Sequence, residues 1–506
     1  MPQKTSSDRP IIDYNACLPD GYLPTAEQVL VTVNDTPLRV VRYSHCDVPF
    51  YLVHATLPEE GEHVVALSIK RHYTQLRVYP SRRQVLVQPQ RGKQPAHFTI
   101  TGNPYLVVEC DGLGYLMLAF EPPRAEPEAQ GSLQGVEAGI APNAHGLQTE
   151  VIQSAIDRVS ADPDLHSLVL PAGIYRVGDL YLRSHCRLHL APGAVLKASD
   201  CAADIGDPSH GGWGPRRAAL INAREADDIA ITGHGHIDGN RPVLDMQRYY
   251  RDLICIKGCR AVRIEGPVFS SSCNWNTHLR GCEDVIIHRL KVLNNRPRIG
   301  FVNTDGVNPD CCRRVDISHC LMHTGDDAVA VKSCEEGDDL LGDVADITVS
   351  DLLAINNSAT AKIGTETHAT RMQRIRFTRI DAVHTARACV IDAFDVATIS
   401  EVVFEDVQVN CLDGSRSGGA ENGLLLNLHA SAPTWRKIKG RSRIEGVVVR
   451  SFISDQPGRL LMLGLNEEFG IRNVRLENIT IAGDPLDPAN IEKNDSVLDM
   501  SISRNC

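Results

Sequence analysis

No stretch of this chain approaches eighteen consecutive apolar residues, which argues against a membrane-spanning helix. The opening MPQKTSSDRPIIDYN likewise lacks the apolar segment of a signal peptide. A soluble protein is expected, either cytoplasmic or secreted and already processed. Basic charge is also in short supply: 52 Lys and Arg stand against 63 Asp and Glu, a net charge of −11. No basic run is interleaved with aromatics, so neither nucleic acid nor another phosphate-rich partner is expected. Sixteen cysteines in 506 residues are too few for a disulfide scaffold, and no CxxC pair precedes histidine ligands. They read as buried thiols; Cys311-Cys312 and Cys255/Cys259 are the pairs that a metal or a disulfide would use. No metal and no cofactor is expected. With 42% apolar and 23% charged residues the composition is globular, which excludes wholesale disorder, collagen and a coiled coil. The length allows about three domains, or one large repetitive fold.

Helical periodicity is almost as scarce. Residues 24–120 carry β-type runs (VLVTVND, PFYLVHATL, HVVALSI, QLRVYP, QVLVQP, HFTITG, YLVVECDGLGYLMLAF) separated by Gly, Pro, Asn and charged turns, which predicts a small antiparallel β-sandwich over residues 1–120. EPPRAEPEAQGSLQG then marks a linker over 121–135. Next, TEVIQSAIDRVSAD places Val151, Ile152, Ala155 and Ile156 at helical spacing behind a Thr149 cap. It is the one convincing helix.

The remainder, 136–506, repeats. Apolar-x-apolar pairs begin at Ile229, Val262, Val285, Val315, Ile347, Ile375, Val402, Val447 and Val474, mostly 23 to 33 residues apart. Nine residues beyond each start stand Asp238, Ser271, Asn294, Thr324, Asn356, His384, Cys411, Gln456 and Gly483, mostly polar or Gly, so a turn recurs at constant phase. Repeats this short cannot hold a strand–helix–strand crossover. A right-handed parallel β-helix is predicted, with the lone helix plugging its first coil. A sandwich would favour steps of about 8–12 residues and Asn-Gly hairpins, which are rare here.

Within that repeat, GFVNTDGVNPD holds Asp305, and HTGDDAVAVKS holds Asp326 and Asp327, 21 and 22 residues further on. One coil apart, stacked residues sit at ~4.8 Å, so three carboxylates would share a face. Like charges that close raise one another's pKa, leaving one group protonated as an acid and another ionised as a base. This is the equipment for glycosidic cleavage, with carboxyls ~6.5–9.5 Å apart if the anomeric configuration inverts. The plain alternative is that these residues fill turns or bind calcium.

These motifs, with TEVIQSAID, LPAGIYRVGDLYL, LHLAPGAVLKAS, NWNTHLRGCEDVIIHRLKV and KIGTET, resemble glycoside hydrolase family 28, the polygalacturonase family, over roughly residues 136–490. The resemblance implies a carbohydrate substrate, Asp326 as general acid, and Asp305 and Asp327 sharing the base role with inversion. It also draws attention to Asn303 in NTDG and to Lys332. The chain departs from the family twice. Where members carry Gly-His-Gly it has Ser358, Ala359 and Thr360, and where they carry Arg-Ile-Lys it has Val390, Ile391 and Asp392. The cations that hold a uronate carboxylate are thus replaced, and Asp392 would repel one. A neutral or sparsely charged glycan fits better than polygalacturonate. The three-Asp β-helix behind a β-sandwich is similar in architecture to the dextranase family, glycoside hydrolase family 49.

Lys362 and Glu366 stand near the missing histidine and could take over part of its task. Trp275 and His278 lie one coil before Asp305, where an indole could stack on a sugar or simply pack beneath a loop. Arg296 and Arg298 are cations near Asp305, available to an acidic substrate group or to turn bridging. Three other readings stay open: an exo- or endo-polygalacturonase, a polysaccharide lyase, and a non-catalytic glycan-binding β-helix.

Overall fold

A computed structural model describes residues 11–504 except 45–48, 90–94, 112, 124–126, 128–129, 143–144, 205–218, 242–250, 295–302, 336–342, 414–422 and 435–439. The C-terminal part is a right-handed parallel β-helix whose strands form a 20-stranded and an 11-stranded sheet. All nine coil starts pair in one continuous column, from Ile229↔Val262 through Val285, Val315, Ile347, Ile375, Val402 and Val447 to Val474. Each is buried in the apolar core. The strands of this sheet end within two residues of the polar positions nine places on, and Asn294, Thr324 and Asn356 stack directly.

A second feature of constant phase accompanies the column. The residue just before each start has a left-handed backbone, φ between +53° and +67°, and so does the residue four places after it, φ between +52° and +100°. Gly233 and Gly266 take the latter role in two coils; Arg289, His319, Asp351, Arg379, Asp406, Ser451 and Asn478 take it in the rest. Such φ values are uncommon outside glycine. Here inter-coil hydrogen bonds hold them, as in Arg289 N–H to Ser318 O at 3.0 Å and His319 N–H to Ser350 O at 3.1 Å. These corners turn the chain at the same step in every coil, which keeps the apolar column in register.

The helix Thr149–Ala161 buries Ile152, Ala155, Ile156 and Val159 against the first coils and closes that end of the core. Thr149 is not its cap: Gln148 is, and the Thr149 hydroxyl accepts a hydrogen bond from Gly178 N–H at 2.7 Å. Among the described residues no helix is long and apolar enough to cross a membrane. All fourteen described cysteines are free thiols, nine of them buried.

Residues 29–121 form two packed sheets, one of four strands and one of five. Three corrections to the sequence expectation arise. One pair, Phe50–Thr56 with Gly114–Glu121, is parallel. Both strands are buried almost throughout because one face meets the sandwich core and the other meets the β-helix, the environment in which parallel pairs survive. QVLVQP forms no strand beyond a single bridge at Gln88; Leu86 is 87% exposed and gains nothing from pairing. The 121–135 linker is shorter than composition suggested: Glu121 ends a sandwich strand, and Ser132–Gln134 pairs with Ser167–Val169 as a rung of the β-helix.

The two parts are joined through a buried apolar layer in which Tyr43, Phe50, Leu52 and Met117 meet Val268, Leu293, Leu321 and Leu353. At its centre lies an ion pair. Lys291, from the β-helix, donates to Glu121 and to Gly266 O, and both side chains are fully buried. Tyr105 Oη–H donates to the same carboxylate at 2.7 Å, and His234 Nδ1 lies 3.2 Å from it. His54, Glu121 and His234 bring ligand-type atoms within 4.8 Å of one another, but Lys291 already supplies the positive charge there. Burial and then Lys291 push the His54 pKa down to about 3, so this imidazole is neutral.

Lys291→Met leaves the Glu121 carboxylate buried without its cation and should cost about 3–5 kcal/mol, read as a lower midpoint of thermal unfolding. Adding Glu121→Gln should restore part of the loss. Equal midpoints for the wild type and the single variant would show that the ion pair contributes nothing.

Candidate active site

The 11-stranded sheet builds the site because its side chains alternate. Leu279, Val307, Val329, Val331, Ile363 and Ile391 point into the core. The residues between them point outward and stack coil on coil. His278 pairs with Asn308, Ala330 with Lys362, Lys362 with Val390, and Val390 with Asn427. Two residues along, Arg280 pairs with Asp310 and Asp310 with Lys332, while Asp392 pairs with His429.

Asp305 and Asp327 lead into neighbouring strands of this sheet. Val307 pairs with Val329, and Gly306 N–H donates to Asp327 O at 2.9 Å, so the two aspartates stack one coil apart with Asp326 adjoining. Asp305 and Asp327 are each 2% exposed; Asp326 is more open. Asn303 is half-buried two residues before Asp305.

Two lysines divide the three carboxylates electrostatically. Lys362 Nζ lies 2.8 Å from Asp327 Oδ2, and Ala359 N–H donates to Asp327 Oδ1 at 2.9 Å. Burial alone would raise the Asp327 pKa, but Lys362, Lys332 and Arg387 outweigh it and hold this carboxyl below the usual carboxylate range. Among the described residues no cation forms an ion pair with Asp326, and burial together with the Asp327 charge pushes it up to about 6. Burial and then the Asp326 charge lift Asp305 well above the ordinary range, against the pull of Lys332 at 3.7 Å. One group is thus held toward its anion, one is raised to about 6 and one is raised well above the ordinary range, the kind of division that acid–base chemistry needs.

Lys332 is engaged by Glu366, whose Oε2 accepts from Nζ at 3.0 Å. A bulge makes this contact possible: Val331 pairs with Ile363 but Ser333 with Thr367, so three residues oppose one and Glu366 is carried round to Lys332. Gly364 in the bulge has φ +96°, and a Cβ there would stand 2.1 Å from Asp392 O, so glycine is required. Burial opposes the Lys332 charge, but Glu366 and Asp305 hold its pKa above the ordinary lysine range.

Trp275 departs from the stacking role considered from sequence. It is 2% exposed, with Lys332 Nζ 4.9 Å above its ring and His278 edge-on at 5.0 Å, so it has no open face for a sugar. It supports Lys332 from below. His278 is held by Asp310 at 3.0 Å and Asp252 at 3.7 Å, and Arg280 also reaches Asp310, at 2.6 Å. Although burial opposes its charge, those carboxylates raise the His278 pKa well above the usual histidine value. Arg296 and Arg298 lie outside the described residues.

Asp392 occupies the position where the sequence resemblance placed a substrate-binding cation. Its carboxylate takes Arg387 Nη1 at 3.2 Å and Asn427 Nδ2 at 2.7 Å and stands 4.0 Å from Lys362 Nζ. Sequence reasoning passed over Arg387, Asn427, Asp310 and Arg280 as site residues. The signal was available as phase: Asp310 is one coil before Lys332, just as Asp305 is one coil before Asp327.

Comparison with known proteins falls on the same coils. Residues 167–413 match the model of Glycosyl hydrolases family 28. A "Probable polygalacturonase" of Vitis vinifera is 27% identical over 282 residues, 46% of this chain and 56% of that protein, so the chain spans little more than half the relative's length. The hyperthermoactive exopolygalacturonase from Thermotoga maritima superposes with a TM-score of 0.51 at 16% identity, over 72% of this chain and 94% of that one. Dex49A from Penicillium minioluteum superposes with a TM-score of 0.52 at 12% identity over 96% of both chains, sandwich and β-helix alike. These likenesses show a shared fold. The stretch that matches the family 28 model, residues 167–413, contains Asp305, Asp326, Asp327, Lys332, Lys362, Glu366, Arg387 and Asp392.

Proposed function

We propose that the protein hydrolyses a glycosidic bond with inversion, in a poly- or oligosaccharide that is neutral or sparsely charged. The observation that carries this reading is the split among three carboxylates on adjoining coils, with Asp326 near 6 and Asp327 held down by Lys362. Asp326 donates its proton to the leaving oxygen as the C1–O bond breaks. Water attacks C1 from the opposite face and gives its proton to Asp327. The base role that the resemblance gave jointly to Asp305 and Asp327 divides: Asp327, held down by Lys362, takes the proton, while Asp305, raised by burial and the Asp326 charge, holds the water.

The substrate reading rests on the cations. Lys362 serves Asp327 and Asp392, Arg387 serves Asp392, and Lys332 serves Glu366. Each is already engaged by a protein carboxylate, so a substrate carboxylate would meet neutralised cations and Asp392. The named relatives favour a second reading, a polygalacturonase, for which the cations would come from residues outside those described, such as Arg298. A lyase would release an unsaturated, ultraviolet-absorbing product, and a pure binder would release none.

Asp326→Asn should lower kcat by about 10²–10⁴-fold and leave glycan binding in place, measured as reducing-end release across neutral and acidic polysaccharides. Proton magnetic resonance of the first anomer formed should show inversion; a retained anomer sinks the mechanism. Because Asp326 must be protonated, kcat/KM should fall about tenfold per pH unit above a pH near 6. Lys362→Met frees Asp327 to climb and should move the acid limb of the same profile upward by about 1–3 pH units. An acid limb that stays put would remove Lys362 from this role.

A further inference from the structure

Five consecutive left-handed corners, Arg289, His319, Asp351, Arg379 and Asp406, form a polar, largely charged column on the outer wall of the β-helix. Against it the sandwich lays the turn Ser81–Arg83 and the segment from Thr101 to Tyr105, leaving between them a half-open cavity of about 460 Å³. At one end the charges are paired. Arg379 meets Asp351 through two bonds of 2.7 Å, and Arg82 meets Asp381 and Asp406 at 2.6 Å each.

The other end is different. Arg289 is 8% exposed, donates from Nη2 to Asn103 Oδ1 at 3.3 Å, and lies 6.0 Å from the centre of the Tyr105 ring. Its buried Nε has no partner, and no carboxylate among the described residues forms an ion pair with it. A guanidinium cannot shed its proton, and a buried charge is normally matched by a counter-ion. Arg83 lines the same cavity. The volume suits a small ligand rather than a lone ion, and Tyr105 offers a ring beside the cation.

We propose that this seam is a second binding site, taking a sugar-sized ligand that bears a carboxylate, with Arg289 as its anion anchor. A planar guanidinium matches a carboxylate through two parallel bonds, which sulfate on a surface lysine would not reproduce. The site lies on the wall that faces the sandwich, so it does not depend on the reaction assigned to the cleft.

Calorimetric titration of the full chain carrying Asp326→Asn with D-glucuronate, D-glucose and inorganic sulfate tests this. Glucuronate should bind saturably, glucose should not, and Arg289→Met should weaken glucuronate at least tenfold. The same change in the chain with Asp326 intact should leave glycan cleavage unaltered. Glucuronate affinity that is unmoved by Arg289→Met, or absent, overturns the proposal. Sulfate binding as tightly as glucuronate overturns the sugar part of it. Should Arg289→Met lose its circular dichroism spectrum, the exposed change Arg83→Ala and the amide change Asn103→Ala decide on the same terms: unchanged glucuronate affinity in both ends the case.

Discussion

Everything in the site descends from one geometric constraint, the fixed step between coils. Parallel pairing lets a residue reach only its counterpart one coil away, and the two left-handed corners per coil keep that step constant while loops between coils vary in length. Intervals as unequal as 23 and 45 residues therefore still deliver their apolar residues to one column. Side chains 22 residues apart in sequence, such as Asp305 and Asp327, become neighbours without a dedicated folding element. Glu366 is the instructive exception, since it reaches Lys332 only because a glycine-bearing bulge breaks the step.

The electrostatics follow from crowding charges onto a desolvated face. Burial favours neutral carboxyls, and the lysines choose which one resists. Lys362 commits itself to Asp327, and Lys332 is largely claimed by Glu366, so Asp326 and Asp305 keep their protons more readily. Arg387, Asp392, Lys362 and Asp327 alternate in sign along one side of the sheet. Such an alternation satisfies itself internally and leaves little net attraction for an incoming anion.

The solenoid was legible because its signal is periodic: a wrong reading of one coil would be overruled by eight others. The three aspartates were legible because Asn-Thr-Asp-Gly followed by Gly-Asp-Asp is hard to produce from turn preference alone. The corners escaped notice since their occupants, Arg289, His319 and Asp351 among them, share no chemistry, only a backbone angle. Trp275 stayed open between stacking and packing because a sequence gives no depth, and Arg387 was passed over because its role depends on a partner in its own strand. In the sandwich, the parallel pair could not be read, since strand direction is set by what covers each face.

The layer that joins the sandwich to the β-helix has a consequence for how the gene could be cut. Tyr43, Phe50, Leu52 and Met117 would lose their cover if the first 121 residues were made alone, and Val268, Leu293 and Leu321 would lose theirs in the complementary fragment. Each piece would also retain half of a charge pair whose other half had gone. The sandwich is thus no detachable accessory but an outer wall that happens to be encoded ahead of the solenoid, and shuffling it onto an unrelated solenoid would mean transplanting the wall's seat as well.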